Sequence, residues 1–148
     1  MPTLLIKNTP LVLITEQKHN NEENTKIANH DVWINLVKIL HGDHEVDKAK
    51  MLVFHHKEKE IEKLLKGVKY RKEDIGEGNF CYELKIKDYI FYLKENEGGH
   101  LYSDNYEDPE LYSGNRLVVE TVSHEYQVFL HLSEAKKGLV SKKLGLFC

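Results

Sequence analysis

Val32, Trp33, Leu36, Val37 and Leu40 recur at helical spacing and predict an amphipathic helix over about 30–41. Asn29 or Asp31 can cap its start, and Gly42 can supply a left-handed stop. A second helix is expected over 57–66, with Ile61, Leu64 and Leu65 facing the core and Gly67 ending it. Its other side alternates in sign (Lys57, Glu58, Lys59, Glu60), as a solvated helix face does. Elsewhere the period is two. Phe80, Tyr82, Leu84 and Ile86 alternate with Cys81, Glu83, Lys85 and Lys87, which predicts a half-buried strand. Lys87-Asp88 then turns the chain into Tyr89–Lys94, Glu95–Gly99 is a further turn, and His100–Ser103 is a short strand. Arg116–Val122 and Tyr126–Leu132 form a last pair, joined at Ser123–Glu125. Met51–Phe54 reads as a buried strand, with Asp43 as a possible cap of a short helix in the same ambiguous stretch. At the start, Thr3–Ile6 and Leu11–Thr15 flank the turn residues 7–10 as a β-hairpin, and Pro10 suggests an edge. Residues 16–29 are polar and asparagine-rich and are expected to form a loop; 95–114 is an acidic, tyrosine-rich loop region.

The expected fold class is therefore α+β: an N-terminal β-hairpin, two to three helices, then an antiparallel meander sheet of about four strands. The whole chain, 1–148, fits one domain. Twelve of the fourteen aromatic residues lie at Tyr70 or later, which weights the sheet toward the C-terminal half. A net charge of −3 argues against a generally basic nucleic-acid binder. Charge is uneven, however: 89–115 holds one lysine and six acids, whereas 116–148 holds five basic residues and three acids. Two cysteines, Cys81 and Cys148, make no disulfide framework. The first apolar run is broken by Lys7, Asn8 and Pro10, so neither a signal peptide nor a membrane span is expected, and the expected location is the cytoplasm of the producing or of a host cell.

Several residues invite chemistry. His41, His44 and His55 are the best candidates for a metal site, but a loop H-x-x-H lacks the register that brings two ligands and a base together, and helix ends favour histidine for charge reasons alone. Cys81 could serve as a nucleophile with His100, His124 or His131 as base, yet it lies mid-strand, where a small buried thiol is ordinary. Gly76-Glu-Gly78 and Gly98-Gly99 lack the helix and lysine of a phosphate cradle and read as turns. No cofactor is expected. The most informative stretch runs from Tyr102 to Tyr112: Tyr102, Tyr106 and Tyr112 alternate with Asp104, Glu107, Asp108 and Glu110. Tyrosines favour interfaces and clustered carboxylates steer association, so these seven residues are expected to dock a partner protein with a basic surface. The expected function is non-enzymatic: a small regulatory or inhibitory protein of the immunity, anti-defence or effector-modulator kind.

Met51-Leu-Val-Phe54, followed at once by the charged run HHKEKEIEKLLKG, resembles the opening strand and helix of RelE/HigB-type toxin domains. Cys81-Tyr-Glu-Leu-Lys-Ile86 looks like the strand that usually reads "yELRi" in that family. Arg116-Leu-Val-Val, Val128-Phe-Leu-His131 and Lys136-Lys137 are similar to its final strands and basic ending. The resemblance covers about residues 51–143. It implies a ribosome-dependent endoribonuclease, or a relative that has lost the activity, with ribosome and mRNA as partners. Lys85, Arg116, Lys136 and Lys137 would then hold RNA phosphate and stabilise developing charge, with Tyr126 as a further participant.

Overall fold

The computed structural model describes residues 10–12, 22–97, 101, 103–125 and 127–144. Among them the strands are β1 (Pro10–Val12), β2 (Lys48–Val53), β3 (Arg71–Gly76), β4 (Asn79–Lys85), β5 (Glu107–Ser113), β6 (Arg116–Val122) and β7 (Gln127–Leu130). The helices are α1 (Glu22–Gly42), α2 (Glu58–Leu64), α3 (Ile86–Tyr92) and α4 (Glu134–Leu144). The α+β class stands. All strand pairs are antiparallel, in the order β1-β7-β6-β5-β2-β4-β3. β2 lies between two blocks, the β3–β4 hairpin on one side and the β5–β6–β7 meander on the other. Among the described strands β1 lies at one end of the sheet and pairs with β7; the expected hairpin partner, 3–6, falls outside the described residues.

One face of this sheet makes the core. Ala49, Met51 and Val53 of β2 are buried and alternate with half-buried Lys48, Lys50 and Leu52. Tyr82 and Leu84, Leu111, Val119, and Val128 and Leu130 continue the buried layer across the strands. Trp33, Leu36, Val37 and Leu40 of α1 pack into the same cluster, together with Ile61 of α2, Tyr89 and Tyr92 of α3 and Val140 of α4.

The helix predicted over 30–41 begins earlier, at Glu22, so residues 22–29 of the expected polar loop are helical. Its stop also differs. The left-handed residue is His44 (φ 58°), not Gly42. His44 N–H donates to the His41 carbonyl and Glu45 N–H to the Leu40 carbonyl, the paired bonds of a Schellman end. A Cβ in this conformation costs about 1–2 kcal/mol. His44→Gly is therefore expected to raise the unfolding free energy by about 0.5–1 kcal/mol after the larger unfolded-state entropy of glycine is subtracted, as a shift of the urea midpoint would show.

Residues 89–94, expected to follow a turn within the meander, belong to a helix. Ile86, Tyr89, Ile90 and Leu93 have the i, i+3, i+4, i+7 spacing, and this period overrides the β preference of the aromatic residues. The helix widens into a π-type turn over Leu93–Glu97. Leu101 and Ser103, from the expected strand 100–103, are not in a strand. The acidic region corrects in the opposite direction: Glu107–Ser113 is a strand, paired with β2 and β6. The β3 strand had no alternation to reveal it, because every residue of RKEDIG is exposed at the sheet edge. Its link to β4 is legible, since Glu77 (φ 57°) and Gly78 (φ 79°) supply the two positive φ values of a tight hairpin turn.

Candidate functional site

Incorporating the acidic segment into β5 consumes most of its chemistry. Tyr106 is buried, and its hydroxyl bonds that of Tyr89 at 2.8 Å. Asp108 accepts from the backbone and hydroxyl of Ser123 at 2.8 and 2.9 Å, tying the start of β5 to the end of β6. Glu107 meets His124 Nε2 at 2.6 Å. Glu110 accepts from the Tyr112 hydroxyl at 2.9 Å; burial, with this bond, pushes the Tyr112 phenol up to about 12. Of the seven expected contact residues, Asp104 is exposed, and Tyr102 falls outside the described residues. The loop reading is thus corrected for Glu107, Asp108, Glu110 and Tyr112, which lie in a strand.

The four basic residues implied by the toxin resemblance are spread over β4, β6 and α4. Lys136 is held by Glu45 at 2.8 Å and Lys137 is buried. Lys85 and Arg116 are exposed. Tyr126 falls outside the described residues. His41 and His44 border one cleft, whereas the His55 ring packs by Gly78 in the β3–β4 turn. No group of three histidine, cysteine or acidic residues among the described ones could hold a metal ion, so the three histidines are not brought together. Cys81 is half-buried, and burial pushes its thiol up, the wrong direction for a nucleophile.

The register creates a pattern that no run of the sequence shows. On the face of the sheet opposite the core, directly paired residues form rows across the strands. One row reads Arg71, Glu83, Lys50, Glu110 over β3, β4, β2 and β5, alternating in sign. Opposite charges across strands stabilise a sheet. The next row sets Lys85 directly opposite Lys48, followed by Tyr112. Like charges so placed destabilise it.

Glu83 reaches across to Lys48 at 3.7 Å and to Arg71 at 3.9 Å. Lys85 has no carboxylate partner among the described residues. Lys69, two residues ahead of Arg71, borders the same place and likewise has no carboxylate partner among the described residues. These side chains line a cleft of about 340 Å³ together with Leu84 and Tyr70. Asp47 also borders it, but both its oxygens accept from Gly114 N–H at 3.1 Å. Four cations (Lys48, Lys69, Arg71, Lys85) therefore face two carboxylates already engaged. A second cleft of about 410 Å³ lies beyond Lys85, bordered by His41, His44, Val46, Ile86 and Lys87. A chain with net charge −3 thus presents a positive end of its sheet.

No family model, no curated protein and no solved structure matches this chain. Among the described residues no helix is long and apolar enough to cross a membrane.

Proposed function

We propose that the chain is a non-catalytic regulatory or inhibitory protein that binds another protein through the face of the sheet opposite its core. The observation that carries this reading is the direct pairing of Lys48 with Lys85, the latter without a carboxylate partner among the described residues, beside a fully alternating row. It sits on a surface that mixes cations with apolar and aromatic groups: Lys50 lies 4.6 Å from the centre of the Tyr112 ring, and Leu52 and Ile75 line a shallow groove nearby. Such mixtures are typical of interface centres. Because the acidic residues of β5 are engaged within the fold, the expected contact moves to the basic end, and the expected partner surface becomes acidic.

An affinity capture from host lysate at low and moderate salt tests this. One stoichiometric protein is expected, released as salt rises through the screening range and absent with Lys48→Glu/Lys85→Glu. Unchanged capture by that double variant would remove this surface from consideration. Lys85 and Arg116 stand at the same end of the sheet, which is the feature that favours the RelE-like reading. Ribosomal proteins and RNA in the eluate would support it instead.

A further inference from the structure

We propose that the cleft over Lys48, Lys69 and Lys85 binds the dianionic phosphate of a phosphate monoester. This deepens the reading of the same surface as a binding site by naming the chemical group it takes. Three observations carry it. Lys85 and Lys48 are directly paired across β4 and β2, a placement that repels unless an anion lies between them. Glu83 is shared between Lys48 and Arg71, which leaves Lys85 and Lys69 uncompensated. With Lys48, Lys69, Arg71 and Lys85 set against Glu83 and Asp47, the cleft has two positive charges in excess, the complement of a monoester dianion rather than of a singly charged diester or carboxylate. Lysine ammonium groups suit this role as mobile point charges with three donors each. The exposed ring of Tyr70, 5.3 Å between centres from that of Tyr82, gives the cleft an aromatic wall beside the cations. A volume of about 340 Å³ has room for a phosphate and a ring.

Isothermal titration of the whole chain with inorganic phosphate, adenosine 5′-monophosphate, a short phosphotyrosine peptide and a dinucleotide phosphodiester tests this at constant ionic strength. The monoesters are expected to bind at least tenfold more tightly than the diester. Lys85→Gln is expected to weaken them at least tenfold, while Lys94→Gln, on the π-type turn and not among the residues lining the cleft, leaves them unchanged. Without phosphate, Lys85→Gln is expected to melt at or above the temperature of the parent, because it removes a repulsion. Tighter binding of the peptide assigns the phosphate to a partner protein, and tighter binding of the nucleotide assigns it to a free small molecule. Absent binding, equal binding of the diester, or binding indifferent to Lys85→Gln would each overturn the proposal. Because these titrations use the isolated chain, a negative result leaves the lysate capture to judge protein binding separately.

Discussion

Tyr106→Ala is expected to lower the unfolding free energy by about 3–5 kcal/mol, the range for emptying a buried aromatic site. Tyr106 joins three parts of the fold. Its ring packs against Tyr89 and Tyr92 of α3, at 6.2 and 6.0 Å between centres. Its hydroxyl meets that of Tyr89, which in turn accepts from Trp33 Nε1 of α1 at 3.1 Å. The turn leading to it is held by Glu97, which accepts from Ser103 at 2.9 Å, from Asn105 at 2.7 Å and from the Tyr92 hydroxyl. Alanine removes the ring contacts, leaves a cavity and strands one side of the Tyr89 hydroxyl. Tyr106→Phe keeps the rings and loses one buried bond, so about 1 kcal/mol is expected. The single tryptophan, Trp33, is buried within the same network and reports unfolding directly by its emission. For a chain of this size the alanine variant is expected to melt about 6–20 °C lower. A parental denaturation midpoint in that variant would place Tyr106 at the surface and restore it as a contact residue.

That expectation reverses what the segment from Tyr102 to Tyr112 suggests as a string of letters, and the reason is physical. Its polar residues look solvated because their partners are distant in sequence: Ser123 for Asp108, His124 for Glu107, Tyr89 for Tyr106. Where partners are local, the sequence is a good guide. The apolar stripe of α1, the strand 79–85, the Gly67 stop and the closing β6–β7 pair are all visible from period and turn chemistry. α3 was equally legible by period, and the pull of its aromatic residues toward a strand reading obscured it. β3 had no such signal, because an exposed edge strand needs no apolar face. The candidate site was the least visible part. Lys48 and Lys69 read as ordinary surface lysines, and Lys85 stands out only through the toxin resemblance. Only the β2–β4 register sets two of them opposite each other, and register is a property of the assembled sheet.

The same buried phenols set a limit on stability at high pH. Burial pushes the Tyr89, Tyr92 and Tyr106 hydroxyls well above the ordinary tyrosine range, and Glu97 adds to the shift at each. In the unfolded chain they ionise near pH 10. The folded chain holds these protons, so their contribution is fully present below about pH 10 and is lost as pH rises toward the folded values. Each phenol then withdraws about 1.4 kcal/mol per pH unit, and three together about 4 kcal/mol per unit. Lys72, held charged by Glu58 and Glu62, loses its contribution in the same direction. Against a typical total of about 5–15 kcal/mol, cooperative unfolding is expected about two units above the onset, near pH 12. Tyrosinate absorbance and far-ultraviolet circular dichroism followed together test this: the three phenols should ionise only as the helical signal collapses. Ionisation of all the tyrosines with the dichroism intact would mean that the Trp33–Tyr89–Tyr106 relay is open to water. The packing of α3 against α1 would then need another source of stability.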